Sequence, residues 1–176
     1  MGLMTMKKLV AFASALLLLV LLILQFMPFW QYPGTIETEN PETGKKEKQE
    51  AMLETSIQNY VWFPEDNKDC TKYLESAPNE DNFACGNIVL FPALTLILAL
   101  ACVVCTIIKP DHQFLFIFPL AAGALGVWSL MKQPVFALGN TTLYVVQMVI
   151  SAVLVVLGFA GIIFMADTDK KEKPAA

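Results

Sequence analysis

Four cysteines and one histidine are the side chains in this 176-residue chain with the chemistry for redox exchange or soft-metal ligation. Cys102 and Cys105 form a Cys-x-x-Cys pair within ALACVVCTIIKP, residues 99–110, and Cys70 and Cys85 stand 15 residues apart in a polar segment. A Cys-x-x-Cys pair serves thiol–disulfide exchange or supplies half of a zinc site. Zinc needs further ligands, and only Asp111 and His112 stand near the pair in the chain. Haem ligation by two histidines is excluded, since His112 is the single histidine. It sits in Lys109-Pro110-Asp111-His112, which reads as a solvated turn. Exchange chemistry requires sulfur atoms to meet directly, so the elements that carry the two pairs decide the matter.

Those elements are unusually apolar. Hydrophobic residues make up 56% of the chain and charged residues 16%, a composition on the membrane side of ordinary soluble domains. A hydrocarbon core of roughly 30 Å takes about 20 apolar helical residues. Four stretches meet that length: Leu9 to Trp30, Ile88 to Ile108, Phe114 to Met131 and Leu143 to Met165, none with Asp, Glu, Lys, Arg or His. The expected fold class is therefore an all-α membrane protein, a four-transmembrane-helix bundle with a small extracytoplasmic β-hairpin plus helix between the first and second helices. Its division is 1–8 cytoplasmic, 9–30 a first span, 31–87 extracytoplasmic, 88–108 a second span and 109–113 a cytoplasmic turn. A third span (114–131), an outer loop (132–142), a fourth span (143–165) and a cytoplasmic tail (166–176) follow.

Lysine positions orient this arrangement. Lys7 and Lys8, Lys109, and Lys170, Lys171 and Lys173 occupy one side, and short Lys-bearing segments stay cytoplasmic. The expected location is the plasma membrane, with both termini inside and residues 31–87 outside. The N-terminal apolar run is longer than a signal-peptide core and has no small-x-small cleavage site before Pro33, so it reads as an uncleaved signal anchor. Phe26, Phe29, Trp30 and Tyr32 would then form an aromatic belt at the outer surface.

In the outer segment, Thr35 to Glu39 and Thr55 to Phe63 read as strands, with NPETGKKEKQE as a long solvated tip between them. EDNKDCTKYLES after Pro64 is helix-compatible, and Ala77-Pro78 stops it. Fewer than 60 residues make a marginal core. A disulfide between Cys70 and Cys85 is the expected staple on an oxidising side, and its loop would contribute about 3 kcal/mol.

Bacterial disulfide-bond oxidases and vitamin K epoxide reductases combine four membrane helices, a Cys-x-x-Cys pair and an outer cysteine pair, and the present layout resembles theirs. Here 17 residues separate Cys85 from Cys102, about 26 Å of helix, too far for exchange without unfolding the span. Cys102 and Cys105 are accordingly expected to act as small packing residues. Four spans, a long first outer loop with two cysteines near a Trp, and a short second loop also resemble the layout of claudins. The chain departs from their closely spaced signature, with Trp62 eight residues before Cys70.

The remaining signals concern contact more than catalysis. Gln25, Ser129, Gln147 and Ser151 are polar exceptions in the spans. They would hydrogen-bond between helices or line a shallow cavity, with Gln25, Gln147 and Ser151 the principal interhelical candidates. Ala11 and Ala15, Ala122 and Gly126, and Gly158 and Gly161 provide small faces for close approach, and Pro92 and Pro119 are expected kinks. YVWFP, residues 60–64, is the distinctive outer motif, making Tyr60, Trp62 and Phe63 candidates for partner binding. Asn140-Thr141-Thr142 is a formal glycosylation sequon.

No phosphate-cradling loop, zinc-protease motif or nucleophile–base pair is present. Nucleic-acid binding is unsupported, since the outer segment is net acidic and arginine is absent. No cofactor and no metal are expected. The expected role is a non-enzymatic interaction, assembly or accessory subunit in contact with membrane lipid and with another membrane or extracytoplasmic protein, or a second copy of itself. The alternatives are a membrane thiol–disulfide oxidoreductase using Cys70 and Cys85, and a small-molecule carrier or channel subunit.

Overall fold

The computed structural model describes residues 3–41, 44–75, 85–108, 113–132 and 138–172, with the backbone alone at 3–7, 85–91, 113 and 164–172. Leu and Ala dominate residues 9–24 and carry strong helix propensity, and helix α1 runs Leu3–Leu24. It closes by tightening: Phe26 N–H donates to Ile23 O and Met27 N–H to Leu24 O, at 3.0 and 3.2 Å. Pro28, which has no N–H to continue the ladder, opens strand β1, Pro28–Glu39.

Strand β2, Lys46–Ser56, pairs antiparallel with β1 in a two-stranded ribbon. The register sets Glu37 opposite Lys48 and Glu39 opposite Lys46, and such opposite-charge pairs favour the pairing. Lys46 also reaches Glu37, at 3.8 Å. The charged run expected as a solvated tip is thus strand. At the base of the connection Asn40 N–H donates to Lys45 O at 2.9 Å, and Gly44 stands at φ 63°, a left-handed conformation suited to glycine.

The expected second strand, Thr55 to Phe63, is mostly helix. Ser56 Oγ accepts from Asn59 N–H at 3.0 Å and caps α2, Ile57–Trp62. Pro64 follows its end, and Asn67 Nδ2 donates to Phe63 O at 2.7 Å and Asn59 O at 3.2 Å, fixing the link to α3, Lys68–Glu75.

Helix α4, Cys85–Ile108, contains Pro92, and a 3₁₀ turn, Gln113–Phe116, leads into α5, Ile117–Met131. Pro119 falls in the first turn of α5, where a missing N–H costs little, so it does not act as the mid-helix kink its position in the apolar run suggested. Asn140 Oδ1 accepts from Leu143 N–H at 2.9 Å and caps α6, Thr141–Glu172. The sequon asparagine therefore has a structural use. Helix α1 packs on α4 and α6, α4 on α5, and α5 on α6. Gly158 sits against the backbone of Leu120, and Gly123 against the backbone of α6 at Ser151 and Val155, which permits the close α5–α6 approach.

The expected four-transmembrane-helix bundle is corrected by these helices. Among the described residues, two stretches are long and apolar enough to cross a membrane, Phe114–Met131 and Thr141–Ile163. The apolar helical stretches Lys8–Leu24 and Pro92–Ile108 are shorter. The first loses its last quarter because the chain turns at Gln25–Met27 and becomes strand at Pro28. The second lies within α4, Cys85–Ile108, which contains Pro92, and its apolar stretch among the residues with described side chains is Pro92–Ile108.

Two clusters form the interior. One joins Ala11, Ala15, Leu18, Leu21, Ala99, Cys102, Leu115, Phe116, Ala122 and Leu154 between the helices. The other joins the hairpin base to α2, α3 and the adjoining ends of α5 and α6, through Phe29, Trp30, Tyr32, Ile57, Tyr60, Cys70, Leu74, Leu130 and Leu143.

Candidate functional site

The second cluster redistributes the aromatic residues. Phe29 and Trp30 are fully buried and Tyr32 nearly so, leaving only Phe26 of the expected aromatic belt exposed. The reason is the strand that replaces the end of the first span: alternation along β1 sends Trp30 and Tyr32 to one face, and a register irregularity between Pro28 and Trp30 lies at Phe29, which is buried as well. Trp30 meets Phe29 edge-on at 5.4 Å and Tyr60 edge-on at 5.3 Å, the geometry aromatic quadrupoles favour. Burial, with smaller contributions from Cys70 and Asp69, raises the Tyr32 hydroxyl above its usual pKa of 10.0.

Of the three outer-motif candidates, the fold separates one from two. Tyr60 is buried and its hydroxyl accepts from Thr71 Oγ1 at 3.1 Å, so it belongs to the core. Trp62 and Phe63 are 52% and 56% exposed at the end of α2. Trp62 is also tethered: its Nε1–H donates to Gln58 Oε1 at 2.6 Å, and Gln58 Nε2 donates to Gln25 Oε1 at 2.8 Å and to Pro92 O at 3.4 Å. Gln58 N–H donates to Gln25 O at 3.1 Å as well. A continuous chain of amides thus connects an exposed indole to the end of α1 and to α4. Gln58 is fully buried in a six-residue helix, and its role was missed because residues 55–63 read as strand. Its place four residues before Trp62 was the available signal.

The polar candidates in the helices converge on the same end of the molecule. Gln25, Gln147 and Ser151 are fully buried, and Gln147 Nε2 donates to Leu24 O at 3.3 Å, an interhelical bond of the expected kind. Ser151 makes no such bond: its Oγ has no hydrogen-bond partner among the described residues. Ser129 is buried near the end of α5. Thr95, one turn beyond Pro92 on α4, joins this set and had not been singled out by the sequence.

Cys70 is fully buried in the second cluster on α3. The side chain of its expected partner Cys85 lies outside the described residues, as do Asp111 and His112, and among the described residues no disulfide is present. Cys102 is buried between helices and Cys105 is partly buried beside the same cluster, in the packing positions anticipated for small residues. Among the described residues no three metal-ligating side chains come together.

The outer faces of all four long helices carry exposed large apolar side chains. Leu16 and Ile23 on α1, Ile107 on α4, Trp128 on α5, and Val156 and Ile163 on α6 are examples. What the arrangement offers is an exposed aromatic pair, its Trp62 tethered to buried Gln58, on a molecule whose long helices carry exposed apolar faces. No family model matches the chain, and no curated protein or solved structure matches it either.

Proposed function

We propose that the chain is a membrane-embedded, non-enzymatic accessory or assembly subunit that engages another membrane or extracytoplasmic protein through its hairpin–helix domain. The membrane part rests on the exposed apolar faces of α1, α4, α5 and α6, an area far beyond what soluble monomers leave to water. The α5–α6 pair supplies the two stretches of spanning length. Lys7 and Lys8 at the start of α1 and Lys170 and Lys171 at the end of α6 stand in segments remote from the hairpin domain. By the bias of such lysines toward the cytoplasm, the domain faces outward from the plasma membrane.

The single observation that carries the partner reading is Trp62, half exposed yet held through Gln58 on Gln25, with exposed Phe63 beside it in the chain. An aromatic anchor fixed before binding loses little conformational entropy on contact, a property of binding hot spots. The acidic outer segment, five lysines against twelve carboxylates, favours a basic partner surface. Full burial of Cys70 supports this role over thiol exchange with a second protein, since attack on its sulfur requires the domain core to open.

The test is purification of the full chain from its native membrane in mild detergent, alongside a Trp62→Ala/Phe63→Ala variant. A stoichiometric companion held by the native chain and lost by the folded variant supports the proposal. A native chain that elutes alone, while a photoreactive group at position 63 labels only lipid, refutes it.

A further inference from the structure

Four side chains near the hairpin end of the helices are fully buried, and each retains a polar atom without a hydrogen-bond partner among the described residues. They are Gln25 Nε2, Thr95 Oγ1, Gln147 Oε1 and Ser151 Oγ. They come from three helical elements: the end of α1, α4 and α6. Their closeness in height follows from bonds already described. Gln58 Nε2 touches both Gln25 Oε1 and Pro92 O, placing Gln25 level with Pro92, and Gln147 Nε2 touches Leu24 O. Thr95 lies three residues beyond Pro92 and Ser151 four beyond Gln147, so the four groups fall within about two helical turns.

Two details show that this set is more than polar residues caught in packing. First, each glutamine is oriented by its other end: Gln25 Oε1 accepts from Gln58, and Gln147 Nε2 donates to Leu24 O. Turning either amide around to satisfy the orphan atom would sacrifice that bond. Second, a helical hydroxyl has a local remedy, donation to the carbonyl four residues earlier. Thr106 takes it, with Oγ1 on Cys102 O at 2.7 Å. Thr95 and Ser151, in comparable helices, do not. Buried polar atoms left this way are costly, and these four lie within about two turns of one another along the helices.

We infer that Gln25, Thr95, Gln147 and Ser151 form an internal binding site for a small uncharged molecule that both donates and accepts hydrogen bonds, namely water or a hydroxyl- or amide-bearing solute. The donor and acceptor inventory sets the chemistry. Gln25 offers N–H, Gln147 offers a carbonyl oxygen, and the two hydroxyls do either. An ion is disfavoured because residues 9–30, 88–108 and 143–165 contain no Asp, Glu, Lys, Arg or His to offset its desolvation. Leu21, four residues before Gln25, and Leu154, three after Ser151, are fully buried in the neighbouring cluster, so the polar set adjoins apolar packing, which favours a small guest. None of its four side chains is exposed, and the site meets the partner surface through the Gln25–Gln58 bond.

The experiment uses the full chain in lipid nanodiscs, with selectively labelled glutamine side chains and Thr95→Val and Ser151→Ala variants. Magnetisation transfer to the Gln25 side-chain amide is read first in water alone and then with added acetamide or glycerol. Transfer from long-lived internal water identifies water as the guest, and transfer from the solute identifies the organic source. Either result, with melting midpoints lowered by about 2–4 °C in each variant, supports the site. No transfer from water or solute to the native chain, or variants that melt higher because they remove dry unsatisfied hydroxyls, overturns it.

Discussion

Replacing Gln58 by Leu tests how the hairpin domain is fastened to the helices. The native side chain accepts from Trp62 Nε1 at 2.6 Å and donates to Gln25 Oε1 at 2.8 Å, with a longer contact to Pro92 O at 3.4 Å. Trp62 is half exposed, so its N–H finds water after the substitution and little is lost there. Gln25 is fully buried and its Nε2 already lacks a partner among the described residues, so loss of Gln58 strands the whole amide. One net hydrogen bond contributes about 1 kcal/mol, and a newly unsatisfied buried acceptor costs about 1–3 kcal/mol. The sum is a destabilisation of about 2–4 kcal/mol.

The companion variant Gln25→Leu leaves Gln58 Nε2 with only its longer contact to Pro92 O, and the double variant Gln25→Leu/Gln58→Leu removes both ends of the bond. Replacing both partners by apolar groups is close to neutral, so the double variant should be more stable than the sum of its parts predicts, by about 1–3 kcal/mol. Unfolding by sodium dodecyl sulfate titration in mixed micelles, followed by circular dichroism and tryptophan emission, supplies the four free energies. Additive costs, or a Gln58→Leu variant as stable as the native chain, would show that the amide chain does not fasten the domain.

Three further outcomes follow from single contacts. A Cβ at Gly158 would lie 2.6–2.8 Å from Leu120, including its backbone, so Gly158→Ala should cost about 1–3 kcal/mol by forcing α5 and α6 apart, measurable in the same titration. Ser56→Ala removes the acceptor for Asn59 N–H and should cost about 1 kcal/mol, with Ser56→Asp recovering most of it. The Tyr32 hydroxyl has its pKa raised above 10.0 in the fold, so the unfolded chain loses its proton first. The corresponding stability is fully present below pH 10 and declines as pH rises through the folded value. A melt series from pH 9 upward should show that decline in the native chain and a smaller one in Tyr32→Phe.

The apolar stretches were legible because apolar composition and the absence of charge are visible residue by residue; α5 fell close to its expected bounds, whereas α6 runs seven residues past the expected end, to Glu172. The first stretch misled because Phe26 to Trp30 are as hydrophobic as the leucines before them. Composition alone cannot distinguish a helix that continues into lipid from a strand that turns its rings into a small core, and Pro28 was the local sign of the change. The hairpin erred for the opposite reason. KKEKQE looks like solvent-facing loop, but its lysines sit across from Glu37 and Glu39, and that register appears only when both strands are aligned.

The polar residues make the sharpest case. Gln25 and Gln147 could be flagged individually as exceptions in apolar runs, whereas Gln58 and Thr95 gave no comparable signal, one lying in a segment that read as strand and the other being an ordinary small residue in a membrane-type helix. Their joint level is set by tertiary contacts, α2 seated on Pro92 O and α6 drawn to Leu24 O. It is there that the molecule departs from pure apolar packing. Close-packed leucines at these positions would satisfy every local preference and cost less. Amides and hydroxyls in their place make the junction between hairpin domain and helices depend on directional bonds. A hydrogen-bonding guest at that junction and a partner pulling on Trp62 would then act on one connected set of atoms, Trp62 through Gln58 to Gln25. Loosening Gln58 should therefore alter both, whereas Thr95→Val should alter the guest alone.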